Sequence, residues 1–435
     1  MATAASTLAP ASDITAWQRL RNIFGGSAGN LVEWFDWFAY ASFAIYFSRA
    51  FFPEDSQTVQ LLSTAFVFAG GFLARPVGAL LMGVYADRAG RRAALTLSVA
   101  MMCAGSLIIA LIPTGLGVIS TCLLIGARLL QGLSVGGEYG ASATYISEMA
   151  TRNSRGFWSG CLYVTLIGGQ LAAVLLQVVL QSLLTEDQLY AWGWRIPFAV
   201  GALLAVVVFW IRRGIDETQS FTRTSVPVAQ RGRSFLLFTQ YPKETAIVVI
   251  LTAGGGVAFY TYTIYMQQFL VNTSGFAKDV ASRLMTLVLI TFIFFQPLVG
   301  WISDRIGRKP TLMFSFGVGA LSAVPMLSLL ARVSDPLTAF LLLLLPLFAL
   351  SGYTSLSAIL KAELFPTHVR ALGVALPYAL AHAIFGGNAQ TAALSFKNAG
   401  NEAGYFWLLA GFLAVGFVVA ATMRDTMKHT LIAED

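Results

Sequence analysis

Five ionisable residues stand where ionisable residues are expensive. Glu33 and Asp36 lie in GNLVEWFDWFAY, Arg75 in GGFLARPVGALLMG, and Arg128 and Glu138 in ARLLQGLSVGGEYG, each stretch otherwise apolar. A charge at the centre of a bilayer costs at least ~2.5–3.5 kcal/mol on insertion scales, so such residues need partners, a water-filled cavity or a function. A buried carboxylate beside a guanidinium can take up and release a proton, which makes Glu33, Asp36 and Glu138 candidate proton carriers. A guanidinium stays charged, and its planar fork matches a carboxylate bidentately. Arg75 and Arg128 are therefore candidate holders of a substrate with one or two carboxylates. Neutralisation of the two arginines by the three acids is the competing account.

The uncharged polar residues are distributed differently. Gln170 interrupts the apolar LIGGQLAA, and Tyr260, Tyr262, Tyr378 and Asn388 fall in apolar stretches of the second half. One half thus supplies charge, and the other hydrogen bonds and aromatic walls. Gln170 and these four residues join the candidate substrate-binding set, with glue between helices as the alternative for the polar residues near 378–390. Lys361, near the end of its apolar run, is placed to snorkel to the interface. No nucleophile–base motif and no metal-ligand spacing occurs, so no catalytic residue, metal or cofactor is expected. The proton gradient is the expected driving force.

The elements that must carry these residues are membrane helices. The 435 residues are 57% hydrophobic and 11% charged, with mean hydropathy +0.71. Soluble domains carry about 25% charged residues. Apolar runs of roughly twenty residues recur along the chain, each long enough to span a bilayer, and twelve such spans can be placed. An all-α membrane protein of two six-helix bundles follows. An even count puts both termini on one side, and most of the 28 Lys and Arg residues fall on that side, so both termini are expected in the cytoplasm. The net charge of +7 reflects those loops rather than nucleic-acid binding. The expected organisation is a cytoplasmic tail over 1–22, bundles over 23–212 and 244–423, a basic linker over 213–243, and a cytoplasmic tail over 424–435. Gly132, Gly136 and Gly140 recur every four residues, a stripe that lets helices approach closely.

A repeat supports the division into halves. GVYADRAGRR (83–92) recurs as GWISDRIGRK (300–309), and the Glu148/Arg155 pair recurs as Glu363/Arg370 at nearly the same offset. In duplicated transporters of this kind the site lies near the midplane between the repeats. An aspartate at a helix end can meet guanidinium groups and latch one conformation. Asp87, Arg91 and Glu148, with Asp304 and Arg308 in the second copy, are the candidate gating residues.

These segments, together with WGWRIPF, resemble the metabolite:proton symporters of the major facilitator superfamily over nearly the whole chain. The resemblance implies a twelve-helix symporter of the bacterial inner membrane; a monomer is expected. It would import 2-oxoglutarate or a related dicarboxylate with protons, by alternating access. A citrate- or shikimate-like acid and a zwitterionic osmolyte such as proline or betaine are the alternative cargoes, and a non-transporting sensor is the remote one.

Overall fold

The computed structural model describes residues 16–53, 56–89, 91–135, 143, 147, 150–213, 239–366, 369–430 and 432. These form twelve long helical segments: α1 (Ala16–Phe51), α2 (Gln57–Ala89), α3 (Arg91–Leu111), α4 (Val118–Val135), α5 (Arg155–Leu183), α6 (Ile196–Arg213), α7 (Pro242–Asn272), α8 (Lys278–Ile306), α9 (Arg308–Leu330), α10 (Pro336–Leu364), α11 (370–398) and α12 (Glu402–Thr422). No strand occurs among the described residues. Eight of the described helices are long and apolar enough to cross a bilayer. Helices are the natural solution in lipid because each satisfies its own backbone groups. Leu73, Leu111, Val118, Leu183, Phe294 and Leu321 are all exposed. On a soluble protein such a surface would aggregate; here it faces acyl chains.

The helices alternate in direction, so the C-terminal ends of α2, α4, α6, α8 and α10 share one end of the molecule, here called the basic end, and their N-terminal ends the opposite, acidic end. The two bundles meet mainly along α5 against α8 and α2 against α11. Glycine makes these approaches possible. A Cβ on Gly156 would lie 2.5 Å from the Gly300 carbonyl oxygen, and one on Gly160 2.4 Å from that of Gln296. Within the first bundle, a Cβ on Gly132 would lie 2.1 Å from the Gly71 carbonyl oxygen. Gly132 thus makes the close approach expected of its stripe; Gly136 and Gly140 lie outside the described residues.

Two helices of the second bundle are not regular. The middle of α7 widens into a π turn at Thr261–Tyr265, and α11 into another at His382–Gly386. Such turns insert one residue and free backbone carbonyls, and they concentrate at functional sites. The α10 helix is interrupted between Thr354 and Ser357.

Candidate functional site

The tight α2–α4 packing brings two arginines into one layer around Trp37. The Arg75 guanidinium carbon lies 4.1 Å from the Trp37 ring centroid and 4.1 Å from that of Phe72. The Arg128 carbon lies 4.0 Å from the Trp37 centroid and 4.4 Å from that of Tyr40. Both side chains are buried. A desolvated cation gains about 2 kcal/mol from such a ring face, which offsets part of the burial cost without using up the hydrogen-bond donors. Nε and one terminal nitrogen of each guanidinium are buried without a hydrogen-bond partner. Donors left this way cost free energy until an acceptor arrives.

Asp36 sits behind this layer, inside the first bundle. Gly201 on α6 makes room for it, since a Cβ there would lie 2.7 Å from the Asp36 carboxylate. Its two oxygens are hydrogen-bonded to the Ser106 hydroxyl and the Gln131 amide. Gln131 accepts in turn from Arg128 Nη1 at 2.7 Å. Ser106 Oγ also lies 3.0 Å from the Met102 carbonyl and 3.1 Å from the Gln131 amide nitrogen. The network therefore has a complete hydrogen assignment in either state of the carboxylate. With Asp36 ionised, Ser106 donates to it. With Asp36 protonated, it donates to Ser106, which turns its own hydrogen to Met102.

The second bundle supplies the facing wall. Tyr260 packs edge-on against Phe72 at 5.3 Å and against His382 at 5.7 Å, and its buried hydroxyl has no hydrogen-bond partner. The Tyr378 and His382 rings lie 4.1 Å apart, with His382 Nδ1 3.2 Å from the Tyr378 carbonyl. Arg75 lies over the Phe72 ring that Tyr260 packs against, so the layer spans both halves; Glu33, on α1, is buried as well. Lys361 does not snorkel. It is buried, with Nζ 3.9 Å from the Tyr378 centroid and donating to Ser357 Oγ at 2.7 Å. Side chains on a helix point toward its N-terminus, and α10 runs toward the basic end, so the amine is carried back toward the midplane.

Three expected substrate residues stand apart from this cluster. Gln170 donates to the Thr263 carbonyl at 2.6 Å, bridging the bundles at the π turn of α7. The Asn388 amide donates to the Ala383 and Ile384 carbonyls at 3.1 and 3.0 Å, so it serves the π turn of α11. Tyr262 faces the interior of the second bundle and lines a small cavity there with Gly255, Ser315, Tyr353 and Leu413. Residues two apart on a helix point to different sides, which is why Tyr260 reaches the layer and Tyr262 does not. Ser106, Gln131, Lys361, His382 and the rings of Trp37 and Phe72 are residues around this layer that the sequence reading left out of its site set. Glu138 and Glu148 lie outside the described residues, and only the backbone of Asp87 and Arg91 is described.

The bundles are also joined at both ends. At the basic end, Asp304 accepts from the backbone amides of Gly156 and Phe157 at 2.8 and 2.9 Å, the first turn of α5. It also pairs with Arg308 at 2.8 Å, and Arg308 lies 3.8 Å from Glu363. A carboxylate at a helix N-terminus meets both free donors and a favourable dipole. At the acidic end, Lys278 contacts Glu186 and donates to the Tyr190 hydroxyl at 2.6 Å. Gln267 donates to Gln177 at 2.7 Å, and Asn272 to Thr58 at 3.3 Å.

Two helical bundles that close on a charged midplane layer, with joints at both ends, define a membrane transporter rather than an enzyme. The chain belongs to the sugar (and other) transporter family of the major facilitator superfamily. The family model matches residues 23–237 and 229–433. Among similar proteins, alpha-ketoglutarate permease of Escherichia coli (strain K12) is 48% identical, covering 98% of this chain and 99% of its own. The citrate-proton symporter of Salmonella typhi is 33% identical, covering 94% and 95%. The proline/betaine transporter of Escherichia coli (strain K12) is 27% identical, covering 94% and 84%. Among solved structures, a D-xylose-proton symporter matches with a TM-score of 0.75 at 18% identity, covering 94% of this chain and 99% of that one.

Proposed function

We propose that this chain imports 2-oxoglutarate or a related dicarboxylate together with protons, across a bacterial inner membrane, by alternating access. Both termini lie in the cytoplasm in this reading, and the monomer is the working unit. The observation that carries it is Arg75. It is a buried guanidinium in the layer between the bundles, held by ring faces, with hydrogen-bond donors left over for an incoming acceptor. The names of the alpha-ketoglutarate permease and citrate-proton symporter relatives support an organic acid as cargo and a proton as the coupling ion.

Asp36 is the favoured proton carrier in this mechanism. Its hydrogen-bond network accepts either protonation state without losing a partner. It is linked through Gln131 to Arg128, which shares the Trp37 ring with Arg75. A proton on Asp36 removes the negative charge nearest Arg128, so the layer attracts an anion more strongly when protonated. Asp304 and Arg308 hold the basic end shut until the bundles rock.

Uptake into proteoliposomes tests the reading. The parent accumulates labelled 2-oxoglutarate under an inward proton gradient, and Arg75→Ala does not. Accumulation by Arg75→Ala equal to the parent's overturns the role of Arg75. Competition by proline or betaine, without competition by organic acids, overturns the cargo.

A further inference from the structure

Arg75 leaves half of a dicarboxylate unaccounted for. Its fork suits one carboxylate, and Arg128, tied to Gln131, belongs to the same bundle. A second carboxylate, three or four bonds away, needs a cation on the opposite side of the same layer. The second bundle offers one against the same run of rings. Lys361 is 1% exposed, among the most enclosed ionisable groups in the second bundle.

A run of rings connects it to Arg75. Tyr378 lies under the Lys361 amine at 3.9 Å and against His382 at 4.1 Å. His382 meets Tyr260 at 5.7 Å, Tyr260 meets Phe72 at 5.3 Å, and Phe72 lies under the Arg75 guanidinium at 4.1 Å. The two cations, one from each bundle, thus stand at the ends of one aromatic run. Ser357, one turn earlier on α10, holds the amine in this direction.

We infer that Lys361 is the specificity-determining residue of the second bundle, holding the distal carboxylate of a dicarboxylate whose other end is held by Arg75. Closing the bundles on such a substrate joins them through it. A monocarboxylate engages one bundle only and does not join the two. The assignment rests on the dicarboxylate reading above.

The test compares two substrates of equal length: 2-oxoglutarate, and 2-oxopentanoate, which lacks the distal carboxylate. Both are followed in proteoliposomes of the parent, Lys361→Met and Lys361→Gln. The parent favours 2-oxoglutarate. Both variants raise its KM by about thirtyfold or more, while 2-oxopentanoate uptake changes less than about twofold, so discrimination collapses. Lys361→Gln keeps a polar group for Ser357 and gives the readout if the methionine variant fails to reach the membrane. Unchanged discrimination in an inserted variant overturns the assignment and leaves the dicarboxylate reading intact. Equal loss for both substrates in an inserted variant also overturns it, because it marks a structural role. A parent that transports no dicarboxylate overturns the underlying reading and Lys361's role with it.

Discussion

The two ends of the interface between the bundles are closed by different physics. At the basic end the joint is buried and geometrically demanding. Asp304 receives two backbone amides of α5 and pairs with an Arg308 that has no exposed surface. Gly156 and Gly300 meet backbone to backbone beside it. At the acidic end the joint is an ion pair whose side chains are 22% and 60% exposed, supplemented by neutral amides. Solvent screens the second kind and scarcely reaches the first. In this conformation, then, the acidic end is the easier one to part, and the proposed orientation turns that end outward.

Removing the carboxylate should break the contrast most severely. Asp304→Ala leaves Arg308 buried beside an uncapped helix start. A loss of about 3–5 kcal/mol is expected, read as a lower unfolding midpoint in detergent and as faster alkylation of a cysteine placed at residue 157. Prying the same end apart sterically should cost less. A methyl on Gly300 would sit 2.2 Å from the Gly156 oxygen, so Gly300→Ala should lose about 1–3 kcal/mol and increase labelling at the basic end only. Lys278→Ala, at the acidic end, should shift stability by less than about 1 kcal/mol, with that difference shrinking in high salt. A large, salt-independent effect of Lys278→Ala would erase the contrast between the ends.

The smallest effect sharpens it further. Asp335, in the loop before α10, accepts from the Thr338 amide at 2.8 Å and its hydroxyl at 2.6 Å. Those hydrogen bonds hold its carboxyl below the usual carboxylate range. A group with its folded pKa depressed stabilises the fold above its unfolded pKa and loses that contribution as pH falls through the folded value. Acid stability below the ordinary carboxylate range should therefore decline slightly less steeply in Asp335→Asn than in the parent. Unfolding midpoints measured across that range check this.

Much of the architecture was legible in the sequence because lipid imposes few solutions. The apolar runs gave the helices, and the duplicated loop gave the two bundles. The structure then put the second loop's Asp304 and Arg308 at the joint. Arg75, Arg128 and Asp36 announced themselves as charges in apolar surroundings. Lys361 was misplaced because its position near a helix end says nothing about where its side chain points; helix polarity decides that. Asn388 and Gln170 were drawn away by π turns, which leave no pattern in an apolar stretch yet free carbonyls that need donors. Ser106 was invisible as one serine among many until α3 set it against Asp36.

The Gly71–Gly132 approach has a consequence for inheritance. Gly132 faces the Gly71 carbonyl, and Gly71 faces the Trp37 ring and the Arg128 carbonyl, with no volume to spare, so a larger residue at Gly132 cannot be relieved by shrinking Gly71, which is already minimal. No single compensating step exists along that seam. The spacing of the two guanidiniums is thereby locked against drift, and a lineage that changes its cargo is steered to do so through residues of the opposite bundle.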